Sequence, residues 1–281
     1  FVDQYGAYDL NEVTRHDLRA FVVSLHERDV LYATHRYKHA KEGGLAPSSI
    51  RAHVRGLRRM FKWLVDEGYL EPEKNPALTL KVPKLPKQTP KGVELEDVRR
   101  LLKATDGDTP VQKRDRAILL FLTDTGCRLG GIVNLKVQDV DFERGVAVLF
   151  EKGAKTRPVP FSEVTADALR AWLEVRPVDH GDWIFVSMTY RHALTGAGVA
   201  QMLRRLARKA GVSRRVNPHS FRHGFARQYL LNGGDLGTLA DLMGHTDVKV
   251  TKDFYAVYST EELVMQHHRF TPMKNLVSKD Q

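Results

Sequence analysis

Four residues in this sequence have side chains that could bind a phosphate or exchange protons with it. They are Arg128 in T-G-C-R-L, His219 and Arg222 in N-P-H-S-F-R-H, and His245 in M-G-H-T-D. A planar guanidinium can bind two phosphate oxygens at once, and an imidazole can exchange protons near neutral pH. Aromatic residues, among them phenols that could attack phosphorus, follow His245. Together these groups could supply what the cleavage of one phosphate diester requires.

A helix that begins after Asn217 is predicted to present two of these side chains together. Asn217 at the N-cap and Pro218 at the first helical position make a favourable helix start. His219 and Arg222 are three residues apart and therefore share a helix face, and the nearby helix N-terminus also favours an anion. The plain alternative is a solvated surface pair, because the pattern H-x-x-R is common by itself.

Arg128 and Lys152 carry weaker signals. Arg128 comes shortly after Gly126, which is expected to end an apolar helix, so its guanidinium should lie at a domain surface or cleft. Lys152 lies in E-K-G-A-K-T-R, the expected turn of a hairpin, from which its side chain could swing into a groove. For both residues the alternative is an ordinary solvent-exposed cation. The neighbouring Cys127 is expected to be a small buried thiol rather than a nucleophile.

The composition favours a nucleic-acid partner in a reducing compartment. The 281 residues carry a formal net charge of +10, with a pI of about 9.6, and basic residues cluster at 55–62 and 203–209, a balance that suits a polyanion. A single cysteine cannot form an internal disulfide, which fits the cytoplasm. The longest apolar run, 117–122, is too short to span a bilayer, so no membrane partner is expected. Because the chain begins at Phe1 rather than Met, we expect a segment to precede it.

The sequence predicts two domains and a linker. Residues 1–82 should be mostly helical. Residues 83–92 are rich in proline and lysine and should form an extended basic linker, because proline interrupts both helices and sheet ladders. Residues 93–281 should form a second domain that mixes helices with short strands. The expected fold class is therefore mainly α with a small β-hairpin or sheet (α+β).

The first domain is predicted to carry a basic helix that contacts DNA. One helix should begin at a capping box formed by Thr14 and Asp17, and a second near Pro47, with a polar loop at 28–46 between them. The second helix has apolar residues at three- and four-residue spacing and cations on its other face, which could contact phosphates or simply face solvent. The predicted DNA-binding residues of this helix and the linker are Arg51, Arg55, Arg58, Arg59, Lys62, Lys84, Lys87 and Lys91.

The second domain is predicted to be a series of helices interrupted by one hairpin. The hairpin strands should be 146–150 and 157–161. Helices are predicted at 94–105, 114–125, 163–175, 197–210, 218–231, 236–243, 248–258 and 260–268.

Taken together, the motifs resemble those of the tyrosine recombinase (phage integrase) family, in particular Xer-like site-specific recombinases. The matching segments are T-G-C-R-L-G-G, G-V-A-V-L-F-E-K-G-A-K-T-R-P-V-P, N-P-H-S-F-R-H-G-F-A and L-M-G-H-T-D-V-K-V-T-K-D-F-Y, in this order. The resemblance runs the whole length of the chain. It implies an N-terminal helical core-binding domain, a basic linker and a mixed catalytic domain.

The resemblance also implies a role for each motif residue. Arg128 and Arg222 would hold the non-bridging oxygens of the scissile phosphate. His219 would exchange a proton with the attacking phenol, His245 would hydrogen-bond the phosphoryl group, and Lys152 would protonate the departing 5′ oxygen. A tyrosine would become linked to the 3′ phosphate. Neither a metal nor any other cofactor is implied.

Two positions depart from the family pattern. Where the family usually has glutamate, three residues after the first arginine, this chain has Gly131. At the spacing that the family keeps between the G-H histidine and its nucleophile, this chain has Phe254. Either Tyr255 is the nucleophile, or Phe254 replaces it in a form that binds DNA without cutting. Tyr258 is a weaker candidate.

The partner implied by the resemblance is double-stranded DNA with a specific recombination site, bound by a homo-tetramer on two DNA sites. The expected location is the cytoplasm, for a prokaryotic or phage-encoded protein. The helix after Ser259 could dock on a neighbouring subunit or pack on its own domain. Two alternatives remain open: a sequence-specific DNA-binding protein without catalysis, and a type IB topoisomerase. A metal-dependent nuclease is disfavoured, because no cluster of aspartate and glutamate accompanies the histidines.

Overall fold

The protein, described here by a computed structural model, divides into two compact units, Phe1–Gln88 and Thr89–Gln281. The structure describes residues 9, 11–31, 36, 39–85, 92–151, 155–190, 192–245, 251 and 260–270. Each unit has a hydrophobic core of its own. Among the described residues, no helix is both long enough and apolar enough to cross a membrane.

The first unit is built on two helices. Its elements are α1 (Arg15–His26), β1 (Val30–Leu31), β2 (Lys41–Glu42), α2 (Pro47–Asp66) and a 3₁₀ turn at Pro72–Lys74. The capping box is present as predicted: the Thr14 hydroxyl accepts from the backbone N–H of Asp17, and the Asp17 carboxylate accepts from the backbone N–H of Thr14. Leu18, Phe21 and Leu25 of α1 pack in one core with apolar residues of α2.

The prediction of a loop at 28–46 was wrong in one respect. Strands β1 and β2 pair antiparallel within it, Val30 opposite Glu42 and Leu31 opposite Lys41. Strands of two residues leave no run of alternating polarity, which is the signal from which a strand is predicted.

The second unit contains eight described helices and one small sheet. The helices are α3 (Leu95–Lys103), α4 (Pro110–Thr125), α5 (Leu129–Val133), α6 (Glu163–Leu173), α7 (Gly196–Lys209), α8 (Pro218–Leu231), α9 (Leu236–Met243) and α10 (Thr260–Phe270). The strands are β3 (Val140–Asp141), β4 (Val146–Glu151) and β5 (Lys155–Pro160), antiparallel in the order β3-β4-β5. The architecture agrees with the expected α+β class.

Helix α4 lies at the centre of the second unit. It begins earlier than predicted, because Thr109 and Gln112 form a capping box and Pro110 occupies the first helical position. Its residues Ala117, Ile118, Leu119, Phe121 and Leu122 are buried in a core shared with the sheet and with α6 and α7. It ends at Gly126, whose φ of 56° is left-handed; a Cβ there would lie 2.5 Å from the Phe225 ring. Glycine therefore allows both the turn and the close approach of α8.

Candidate active site

Three successive backbone carbonyls at the C-terminal end of α9 each accept a hydrogen bond from a different arginine. The pairs are Leu242 with Arg157, Met243 with Arg222, and Gly244 with Arg128. The last carbonyls of a helix have no partner within the helix, so they can accept such bonds. We call Leu242, Met243 and Gly244 the α9 C-terminal carbonyls. Cationic side chains from three separate parts of the second unit thus meet where α9 ends.

Arg222 occupies the buried centre of this arrangement. It is 3% exposed. Its Nη1 donates to the Gly126 carbonyl at 3.0 Å, and its Nη2 donates to the Met243 carbonyl and contacts Nε2 of His245 at 3.0 Å. The guanidinium therefore links the end of α4 to the end of α9, and its plane is fixed by acceptors on both sides.

The contacts of His245 define its tautomer. Arginine has no acceptor, so Nε2 must accept the hydrogen bond from Arg222 and carries no proton. The other ring nitrogen, Nδ1, lies 2.8 Å from Oγ1 of Thr251, a residue with no exposed surface. Nδ1 consequently carries the proton and donates it to the hydroxyl. In this state His245 is a neutral imidazole held from both sides.

Arg128 reaches the same region from the surface. It occupies the N-cap position of α5, and its exposed side chain donates to the Gly244 carbonyl at 3.5 Å, which is longer than a typical hydrogen bond. Gly244 itself is left-handed, with a φ of 63°, and turns the chain from α9 toward His245. Arg128 and His245, which are remote in sequence, are therefore brought to one helix end.

His219 lies on the first turn of α8, which is capped by Asn217 and begins at Pro218 as predicted. Partial burial lowers its pKa below the usual 6.5, and the nearby charges of Arg222, Arg128 and Arg215 lower it further. A cationic neighbourhood disfavours the imidazolium. His219 is consequently in its neutral form at pH 7 and is able to accept a proton.

A second histidine, His223, packs against the His219 ring. His223 is 9% exposed, and its ring meets that of His219 edge to face at a centroid distance of 4.2 Å. Burial, together with His219 and Arg222, lowers the pKa of His223 to about 4. His223 therefore remains uncharged and behaves as a packed aromatic ring beneath His219.

Cys127 and Gly131 are both buried near this region. Burial raises the pKa of the Cys127 thiol to about 11, so it is a packed thiol rather than a thiolate, as predicted. A Cβ at Gly131 would lie 3.0 Å from Cδ1 of Leu149 on β4. A larger residue at this position would therefore need the Leu149 side chain to move by a few tenths of an ångström.

The remaining predicted residues divide into those that the structure describes and those that it does not. Arg55, Arg58, Arg59 and Lys62 are exposed on α2, Arg51 is half-buried there, and Lys84 is exposed after the 3₁₀ turn. Lys62 forms an ion pair with Asp66 at 2.7 Å. The predictions that fall outside the described residues are Lys87, Lys91, Lys152, Phe254, Tyr255 and Tyr258.

The sequence alone did not single out several residues of this site. Arg157 is an example: it alternates with Val159 along β5, and both side chains are buried while their neighbours Thr156 and Pro158 are exposed. A period-two pattern with arginine at an inward position was a signal that this cation is buried. Arg215, His223 and Thr251 left no comparable signal, because their contacts join distant parts of the chain or depend on a helix face.

Among the described residues, no group of histidine, cysteine and acidic side chains could hold a metal ion.

Comparison with known proteins gives consistent matches. The sequence model of the phage integrase family matches residues 91–261. Tyrosine recombinase XerA of Thermococcus kodakarensis is 37% identical over 228 residues, which cover 80% of this chain and 76% of XerA. Tyrosine recombinase XerD of Listeria innocua is 32% identical over 219 residues, which cover 76% of this chain and 73% of XerD. The Tn1549 transposon integrase, solved with a circular intermediate DNA, has a similar fold, with a TM-score of 0.72 at 18% identity over 95% of this chain and 88% of that one.

Proposed function

The chain belongs to the phage integrase family of tyrosine recombinases, enzymes that cleave and rejoin DNA, and from that premise we propose how its own residues divide the reaction. Site-specific DNA recombination is its activity and duplex DNA its partner. The observation that carries the assignment of residues is the hydrogen-bonded group at the end of α9, where Arg222 contacts His245 and Arg128 lies beside them.

Arg128 and Arg222 bind the scissile phosphate. Both guanidiniums are oriented by backbone carbonyls, and a guanidinium fork matches two phosphate oxygens. The negative charge that develops on the non-bridging oxygens in the transition state is therefore met by donors already in place. Because these charges are supplied by side chains, the proposed roles need no metal ion.

The protons are moved by His219 and Lys152. His219, neutral because its pKa is lowered, takes the proton of the attacking phenol as the phenol oxygen bonds to phosphorus. The bond from phosphorus to the 5′ oxygen breaks, and Lys152 protonates that oxygen. His245 hydrogen-bonds the phosphoryl group once DNA has replaced its contact with Arg222. The product is a 3′-phosphotyrosine, and reversing the steps rejoins the strand without ATP.

The nucleophile is the residue that most needs an experiment. The two hypotheses are Tyr255 as the attacking phenol and Phe254 as a replacement of it. About 100° separates neighbouring side chains on a helix, so the two residues cannot both face the same phosphate. The Phe254 hypothesis predicts a chain that binds its site but cannot cut it.

A nicked duplex that traps the covalent intermediate distinguishes these hypotheses. The duplex is first selected from random sequences by binding to the full chain, and protein–DNA adducts that survive SDS are then counted. If Tyr255 attacks, the unchanged chain forms an adduct that Tyr255→Phe abolishes and Tyr258→Phe retains. If Phe254 replaces the nucleophile, adducts form only in Phe254→Tyr. Absence of an adduct in all of these variants, on a duplex that binds, would overturn the proposed chemistry.

We further propose that four copies act on two DNA sites. A tetramer is what exchange between two duplexes requires, whereas a topoisomerase acts with one copy. Sequence choice would come from cations of α2 and side chains of the second unit that reach the DNA grooves. Relaxation of a supercoiled plasmid that lacks the selected site would support the topoisomerase instead. Deletion of 259–281 followed by measurement of tetramers on DNA tests whether the last helix joins subunits.

A further inference from the structure

Three arginines donate hydrogen bonds to the α9 C-terminal carbonyls. Two of them, Arg128 and Arg222, are proposed to bind the scissile phosphate, and the third has no role in the proposed reaction. The third, Arg157, lies on β5 and donates from Nη1 to the Leu242 carbonyl. Its side chain is buried, with 9% of the residue exposed, whereas Arg128 is exposed. A guanidinium that is enclosed by protein in this way cannot reach a DNA phosphate without leaving its place.

Helix α9 needs such a partner at its end. It has eight residues, from Leu236 to Met243, and helices this short are marginal without tertiary contacts. The Asp235 side chain caps its N-terminus by accepting from the backbone N–H of Thr238. At its C-terminus, the chain turns through the left-handed Gly244 directly into His245. Any movement of this end therefore changes the position of the His245 ring.

Arg157 also connects two parts of the proposed site. It stands opposite Leu149 in the pairing of β5 with β4, the two strands between which Lys152 lies in the sequence. Its hydrogen bond to Leu242 therefore joins these two strands to the helix end that precedes His245. Arg222 makes the corresponding link from α4 and α8, through Gly126 and Met243.

We propose that Arg157 is a positioning residue of the recombination reaction, which fixes the end of α9 and so holds the His245 imidazole against Arg222. This inference rests on the proposed function only for its effect on the rate. Arg157 touches neither DNA nor the reacting atoms. It keeps the α9 C-terminal carbonyls in place while Arg128 and Arg222 bind a phosphate.

The test compares Arg157→Met with Arg157→Lys in the full chain. Methionine keeps length and apolar contact but has no donor, and lysine restores a charged donor without the fork. The matched control is Arg170→Met, at a half-buried arginine of α6 that pairs with Glu163 and Asp167. Thermal unfolding and circular dichroism are measured first, so that only folded variants are compared.

Two readouts follow. The first is the ¹⁵N NMR spectrum of the His245 ring without DNA, which needs no cleavage. The second is single-turnover adduct formation on the selected nicked duplex, together with the Kd for the uncut duplex, in whichever background, unchanged or Phe254→Tyr, forms adducts. We expect Arg157→Met to shift the His245 signals and to slow adduct formation at least about tenfold, with the Kd changed less than about threefold. Arg157→Lys should recover part of the rate, and Arg170→Met should match the unchanged chain.

Unchanged His245 signals in a folded Arg157→Met chain would overturn the inference. So would a loss of rate that Arg157→Lys does not relieve and that only follows the loss of thermal stability, because that pattern belongs to a purely structural residue. If no background forms an adduct, the proposed chemistry fails separately, and the His245 spectrum still decides the role of Arg157.

Discussion

Arg222 donates a hydrogen bond to Nε2 of His245, at a distance of 3.0 Å, and so these two residues of the proposed site are already bonded to each other before DNA arrives. The contact requires an unprotonated Nε2 on His245. For His245 to donate to a phosphoryl oxygen from Nε2, that nitrogen must gain a proton and release Arg222. Binding of the phosphate is thus coupled to a change in the hydrogen bonding of this pair.

Replacing Arg222 with lysine should impair stability and cleavage together. An ammonium cannot bridge the Gly126 and Met243 carbonyls in the plane of a guanidinium, so a buried acceptor loses its partner. We expect the free energy of unfolding to fall by about 1–3 kcal/mol, measured by urea denaturation, and adduct formation to be abolished. Arg99→Lys, at an exposed ion pair with Glu96, should change stability by less than about 0.5 kcal/mol. Full stability in Arg222→Lys would contradict the buried role of this guanidinium.

Replacing Arg215 with glutamine should raise the pKa of His219. The charge of Arg215 is one of the causes that lower this pKa, and removing a like charge favours the imidazolium. His219 accepts a proton only when neutral, so activity that depends on it declines as pH falls, and in Arg215→Gln the decline should begin at a higher pH. NMR titration of the His219 ring measures the shift directly.

The neighbouring arginine is the control for that experiment. Arg214 is paired with Glu94 at 3.0 Å and is not among the charges that act on His219. Arg214→Gln should leave the His219 titration where it is. Equal titration curves for Arg215→Gln and the unchanged chain would show that Arg215 has no electrostatic effect at this ring.

Because of His223, the free energy of unfolding should decrease at acidic pH. Its folded pKa of about 4 lies below the unfolded value of 6.5. Between these values the unfolded chain binds a proton that the folded chain does not, so stability decreases as pH falls from about 6.5 toward 4. Each whole-number difference in pKa is worth about 1.4 kcal/mol. In His223→Phe the free energy of unfolding should vary less steeply over this range; an unchanged slope would contradict the buried neutral state.

The exposed arginines of α2 should govern the salt dependence of DNA binding. Arg55, Arg58 and Arg59 lie on the face opposite the core of the first unit. If each neutralises one phosphate, replacing all three with glutamine lowers the slope of log K against log salt by about 0.9 for each phosphate that is no longer neutralised. Lys74→Gln, at an exposed lysine paired with Glu71, is the control. A weaker affinity with an unchanged slope would mean that these arginines do not bind phosphates.

Local signals in the sequence predicted several helix ends, because capping depends on residues that are only a few positions apart in the chain. The capping box at Thr14, the start at Asn217 and Pro218, and the end at Gly126 all occur where they were predicted. The pair β1 and β2 was missed, because two-residue strands depend on their partner rather than on a pattern of their own. The linker at 83–92 stays a prediction, because residues 86–91 lie outside the described residues.

The composition of the proposed site was predictable, and its connections were not. Residue types and motif order indicated Arg128, His219, Arg222 and His245. Nothing in the sequence indicates that three of the arginines bind consecutive carbonyls, because backbone acceptors leave no trace in the residue types. For Arg157, the alternation along β5 was a signal of burial, but the sequence held no signal of its partner, which is a peptide group of a distant helix.

The carbonyls around Arg222 also determine at which step its side chain loses its conformational freedom. An arginine side chain on a surface gives up about 2 kcal/mol of rotamer entropy when a ligand immobilises it. Here that ordering occurs during folding, because Gly126 and Met243 fix the guanidinium plane in the DNA-free protein. Less of the attraction between guanidinium and phosphate is then consumed in ordering the side chain, and more of it is available to discriminate between the ground state and the transition state of the diester.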